Sequence, residues 1–110
     1  VESTTALLRP ADRPTALLTY GTKEFGAAMV AAAGLGITIP TDLSLITFER
    51  RVEQVFGPRP ATMVIPEYEI GQQGVDMVLD MIDHRPQQPP ASHPLPFRFE
   101  AGETLAPPHP

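Results

Sequence analysis

Residues 13–49, RPTALLTYGTKEFGAAMVAAAGLGITIPTDLSLITFE, decide the fold. Ala16 to Tyr20 is a short, nearly all-apolar run, the pattern of a strand covered on both faces. Gly21 and Thr22 break it, and Thr22 reads as the N-cap of a following helix. Phe25, Ala28, Met29, Ala32 and Ala33 fall at helical spacing and define one slim apolar face. Gly34 and Gly36 stop that helix, and Pro40 prevents its return. Leu43 to Phe48 is a second strand-like run with little alternation, ending in Glu49. Two buried strands joined by a helix require a parallel pair with a crossover, so the class is α/β.

The rest attaches to this βαβ unit. Upstream, Val1 to Leu8 reads as the last turns of a helix closed by Arg9 and Pro10, and Pro14 sets the entry to the first strand. Downstream, Arg50 to Pro60 is a mixed-charge loop punctuated by Gly57, Pro58 and Pro60. Thr62 to Ile65 predicts a third strand, and Pro66 opens a helix from about Glu67 to His84. Its acids Glu67 and Glu69 sit at the positive end, with His84 and Arg85 at the negative end. Ile70, Gly74, Met77, Val78, Met81 and Ile82 mark its expected buried face, where Gly71 and Gly74 permit close approach of another backbone. Residues 86–96 are too proline-rich for helix or central strand and read as a polyproline-like linker. Phe97 to Leu105 is the last strand candidate, followed by a tail.

Composition narrows the function. A length of 110 residues suits one small domain, and 42% hydrophobic residues suffice for a core. With no cysteine, disulfides and thiolate metal sites are excluded. A net charge of −5 argues against direct nucleic-acid contact, which needs a basic patch. No apolar run is long enough to suggest a membrane span. His84, His93 and His109 lie far apart without ligand spacing, and no Ser-His-Asp arrangement or phosphate loop appears. The expectation is a chain with no catalytic residues, no metal and no cofactor. Asp76, Asp80 and Asp83 are read as a solvated helix face. The opening VESTTALL, without an initiator Met, suggests a piece of a longer protein.

The quoted stretch resembles the segment of lactose-repressor/galactose-repressor family regulators whose general form is RPTAVFAANDxxAxGxxxAxxxxGxxVPxDVSVxGFDD. Pro14, Thr15, Ala16, Gly36, Pro40, Asp42, Ser44 and Phe48 match without gaps. Pro60 to Val64 stands where the family has P-L-T-T-V, Ile70-Gly71 where it has L-G, and Glu103, Thr104, Ala106 and Pro107 resemble its closing R-E-S-T-A-P. The resemblance covers about nine-tenths of the chain. It implies a partial type I periplasmic-binding-protein-like fold, a parallel sheet with flanking helices, forming part of a two-lobed sensor domain. Residues 1–65 would be the core of the C-terminal lobe, 66–85 a helix leading toward the other lobe, 86–96 a linker, and 97–110 a returning strand and tail.

The same resemblance implies a function: sensing a small, sugar-like effector in a cleft between lobes. The protein would be a cytoplasmic, homodimeric transcriptional regulator that meets DNA only through an absent N-terminal helix-turn-helix head. A periplasmic sugar-binding protein of a transport system, or an interaction module that has lost effector binding, are the alternatives. Four residues at strand ends are the expected effector contacts: Tyr20, Gly21, Thr22 and Glu49. Three of them have a plainer reading, with Glu49 a solvated loop acid, Thr22 a helix cap and Tyr20 a packing residue. Gly21 and Thr22 replace the family's Asn-Asp, and Gly102 replaces its Arg, so the scaffold positions match better than the ligand-reading ones. Val55 and Phe56 fall in the loop where the family often makes dimer contacts, although covering the local core is an equal reading.

Overall fold

The computed structural model describes residues 1–54, 57–85 and 92–108. Ala16–Tyr20 forms β1 and Thr22–Gly34 forms α2, after a short α1 at Glu2–Leu8. Ser44–Glu49 forms β2, parallel to β1 in a register that sets Ala16 beside Ser44 and Tyr20 beside Phe48. The βαβ expectation is therefore met, with β2 starting one residue later than the sequence pattern indicated. Gly36, at φ 69°, takes the left-handed conformation that closes the turn after α2.

Ala61–Val64 forms β3, parallel to β2, and Arg98–Glu100 forms a short β4, antiparallel to β3. The four strands lie in sequence order, and their pairings make the sheet mostly parallel with one antiparallel edge. A clasp from the tail holds the starts of β2 and β3. The Thr104 hydroxyl, fully buried, donates to the Leu45 carbonyl and accepts from the Ala61 amide, while the Leu45 amide donates to the Thr104 carbonyl. Ser44 Oγ accepts from the Ala106 amide at 3.0 Å. Gly102 approaches so closely, at φ 58°, that a Cβ there would lie 2.5 Å from the Pro60 carbonyl carbon. Gly102 thus sits at the N-terminal ends of the parallel strands, opposite Glu49, where a side chain would meet the Pro60 backbone.

The core lies between one face of the sheet and α1 and α2. Leu8, Ala32 and Leu43 are buried together, with Leu17, Leu35, Ile37 and Ile39 packed around them. Phe25, Ala28 and Leu45 form a second cluster, joined to the first through Leu17 and Ile39. The apolar face of α2 differs by one position from the sequence reading, since Ala31 is buried and Ala33 is exposed.

Glu67–His84 forms α3 with the expected limits. Its expected buried face is not buried: Ile70, Gly74, Val78, Met81 and Ile82 are exposed, and only Met77 is half-buried. A Cβ added at Gly71 or Gly74 would meet nothing within 4 Å, so the close approach expected there is absent. The helix packs against no other element of the described residues and lengthens the molecule to 59 Å, against 26 and 24 Å in the other directions. Helical periodicity marks a face that seeks a partner, and these residues contain no surface that reaches it.

Candidate functional site

Chemistry in a parallel sheet gathers at the C-terminal ends of its strands, where side chains and helix N-termini converge. Here that edge is formed by Tyr20-Gly21 after β1, Glu49-Arg50 at the end of β2 and Val64-Ile65 at the end of β3. Gly21, at φ 108°, is the residue that caps α2, in a conformation L side chains rarely adopt. Thr22 is the first residue of α2 rather than its N-cap, because the chain turns one residue earlier through glycine, and no residue of the loop caps the helix with its side chain.

Glu49 supplies what that end of the helix lacks. Its Oε2 accepts from the Thr22 amide at 3.1 Å and from the Thr22 hydroxyl at 3.0 Å, while Oε1 accepts from the Arg50 amide at 3.0 Å. A helix's first amides have no intrahelical acceptors, so a carboxylate from the neighbouring strand satisfies one of them and meets the positive end of the dipole. The hydrogen bond from the Arg50 amide, against a smaller opposing effect of burial, holds the Glu49 carboxyl below its ordinary value; the Thr22 donors and the Arg50 charge add to the lowering. Glu49 is therefore neither a loose loop acid nor a free ligand arm: it is pinned.

Gly21 is fixed to the sheet as well, its amide donating to Thr47 Oγ1 at 3.1 Å. Gly21, Thr22 and Glu49 are brought together as the sequence reading expected. The loop adds Glu53, whose Oε2 lies 3.1 Å from the Thr22 hydroxyl. One hydroxyl proton serves one carboxylate at a time, so the other keeps a free acceptor lone pair. Tyr20 stands apart from this group. Its neighbour in register is Phe48, so its ring emerges on the opposite face of the sheet, 6.0 Å from the Phe48 ring, and Phe97 packs edge-on against Phe48 at 5.6 Å.

Two cavities border this edge. One of about 500 Å³ is lined by Gly21, Thr22, Glu49, Glu53 and Glu67 among others, and one of about 550 Å³ by Arg50, Arg51, Tyr68 and Arg98 among others. Glu53, Arg51, Tyr68 and Arg98 were not foreseen; the only signal was the charge of RRVE following the second strand. Val55 and Phe56 lie outside the described residues. No group of three or more His, Asp or Glu side chains suited to a metal occurs among the described residues. No helix among them is long and apolar enough to cross a membrane.

Residues 2–105 match the family model of the periplasmic binding protein-like domain. The chain is similar to the HTH-type transcriptional repressor PurR of Proteus mirabilis (strain HI4320), 33% identical over 79 residues, covering 71% of this chain and 23% of PurR. It spans about a quarter of the length of the curated relatives it matches. Among solved structures, a LacI family transcriptional regulator from Bifidobacterium animalis subsp. lactis DSM 10140 superposes with a TM-score of 0.85 at 23% identity, over 98% of this chain and 40% of that one. A LacI family regulator from Arthrobacter sp. FB24 in complex with lactose gives 0.77 at 19% identity, over 96% and 40%. The dimeric Lac repressor with an 11-residue C-terminal deletion gives 0.80 at 22% identity, over 98% and 39%. The fold expectation is borne out, and the chain belongs to the periplasmic binding protein-like domain family, with the repressor PurR as a relative.

Proposed function

We propose that this chain is part of the effector-sensing domain of a cytoplasmic DNA-binding transcriptional regulator. A small hydroxylated molecule of the sugar class binds at the C-terminal ends of β1 and β2, with Glu49, Thr22 and the Gly21 backbone as contacts. Tyr20 would offer its ring from the other side of the strand end. Residues 66–85 would lead toward a second lobe, and a helix-turn-helix head outside these 110 residues would meet DNA. The active form would be a homodimer, as the dimeric Lac repressor neighbour suggests.

The observation that carries the reading is the pinned Glu49 carboxylate at the edge of a cavity, oriented by the Thr22 and Arg50 amides and by a Thr22 hydroxyl it shares with Glu53. An ionised carboxylate held in place accepts from ligand hydroxyls with little ordering cost, and hydrogen bonds to charged groups contribute about 1.5–3 kcal/mol each. The lactose complex of a structural neighbour supports the ligand class.

Thermal shift of the protein against sugars and nucleosides tests the reading. One sugar class is expected to raise Tm, and Glu49→Ala to weaken that ligand by about tenfold or more. Without ligand, the same substitution is expected to cost only about 1 kcal/mol, the usual value of a helix cap. A protein that responds to no small molecule would overturn the proposal. A loss of several kcal/mol in the absence of ligand would instead make Glu49 a structural residue.

A further inference from the structure

Beside Glu49, the C-terminal edge of the sheet changes sign. Arg50 and Arg51 follow β2, and Arg98 opens β4. All three line the cavity of about 550 Å³, within the roughly 300–1,000 Å³ usual for small-molecule sites. The register explains why they converge. Glu49 pairs with Val64 and Val64 with Arg98, so these residues lie on one line across the sheet. Residues paired in register share a face of the pleat. Glu49 and Arg98 therefore stand on the same face, two strand spacings or about 10 Å apart. Arg50 also lines the cavity beside Thr22 and Glu49, so the two cavities adjoin.

The guanidinium groups are held in place but not used up. Arg51 Nε donates to Glu53 Oε1 at 3.1 Å, and Arg98 Nε lies 3.0 Å from Glu100 Oε1. Each carboxylate meets its arginine at Nε, one of five N–H donors, which leaves the terminal nitrogens for a further acceptor. Glu53 also faces the Thr22 hydroxyl that it shares with Glu49, so one chain of polar contacts runs from Arg51 to Glu49. Two acids, Glu67 and Glu69, line the arginine cavity as well. They head α3, where the positive end of the helix offsets their charge.

We propose that the arginine-lined cavity is a subsite for an anionic group on the effector, a carboxylate or phosphate borne by the sugar-like ligand whose hydroxyls donate to Glu49. A planar guanidinium presents paired donors that match two oxygens of either anion. The separation of Glu49 and Arg98 suits a sugar ring with one charged substituent. The subsite is part of the effector site proposed at Glu49 and Thr22, and so rests on that reading. General attraction does not account for a preference of this kind, because the chain carries a net charge of −5.

Calorimetric titration of the full-length regulator with matched probes provides the test: glucose against glucose 6-phosphate and glucuronate, and ribose against ribose 5-phosphate. In at least one set a charged member is expected to bind about tenfold or more tightly than the neutral sugar. The phosphate and carboxylate arms identify which anion is read. Arg98→Gln and Arg51→Gln are each expected to remove most of that preference, with circular dichroism checking that each variant is folded. Arg59→Gln, just before β3 at the opposite edge of the sheet, removes the same charge and is expected to leave the preference intact. Neutral sugars that bind as tightly as their charged forms overturn the anionic subsite and leave the effector reading standing. A preference that survives both arginine substitutions also overturns the subsite, since the charge is then read elsewhere. Binding of none of these probes overturns it too, and only failure of the wider sugar and nucleoside panel overturns the effector reading with it.

Discussion

Two helices of this protein teach opposite lessons. The 13-residue α2 is alanine-rich and only weakly two-faced, yet Phe25, Ala28, Ala31 and Ala32 are buried in it. The 18-residue α3 has the plainer division into apolar and acidic sides, yet not one of its residues is buried. The difference is position. A helix that joins two adjacent parallel strands is forced back onto their sheet by the chain itself, whatever the strength of its pattern. A helix that leaves the sheet is buried only if a surface exists to receive it. Amphipathicity therefore reports demand for a partner, and connectivity decides whether the demand is met.

The contrast breaks most sharply under truncation. Phe25→Ala removes a 4%-exposed ring from the cluster around Ala28 and Leu45, and is expected to cost about 3–5 kcal/mol, read as a fall in the urea midpoint. For a domain of marginal stability that is a large part of the whole. Measured at concentrations where the chain is monomeric, Ile82→Ala on α3 is expected to change stability by no more than about 0.5 kcal/mol. Equal effects from the two would show that α3 is covered within a single chain.

A second test sharpens the account of what fixes the covered side. Gly102→Ala is expected to cost about 1–3 kcal/mol, because the left-handed backbone and the close Pro60 carbonyl both resist a Cβ. Gly74→Ala, on the open helix, is expected to raise stability slightly through helix propensity, by about 1 kcal/mol at most. Chemical denaturation of the pair reads both signs.

The smallest effect concerns Glu49, at the N-terminus of α2. Its carboxyl lies below the ordinary 4.5 in the folded protein, so the unfolded chain binds its proton more readily. The stabilisation is complete above the unfolded value and is lost as pH falls through the lowered folded value. Glu49→Gln is expected to flatten the pH dependence of stability below about pH 5 and to leave its slope near pH 7 unchanged. An unaltered acid limb would remove Glu49 from its role as the cap of α2.

Much of the fold was legible in the sequence. The limits of β1, α2 and α3, the parallel pairing of β1 with β2 and the family all follow from short-range signals: runs of apolar residues, glycines and prolines at their ends, and motif spacing. The site was legible in part. Gly21, Thr22 and Glu49 were correctly placed at one strand edge, but that Glu49 caps the helix was not, because Thr22 looked sufficient by itself to do so. Tyr20 was grouped with them from its position in the chain, although the pleat sends its ring to the other face.

Sequence by itself determined what each segment is, since backbone preference and periodicity are carried by residues a few positions apart. Only the tertiary structure decided what each segment meets. The bond from Thr22 to Glu49 joins residues 27 positions apart, and the clasp between Ser44 and Ala106 joins residues 62 apart. Such contacts depend on loop closure and strand register rather than on local composition. The same holds for α3: its apolar stripe is written in its residues, but that no other element of the described residues packs against it is seen only in the structure.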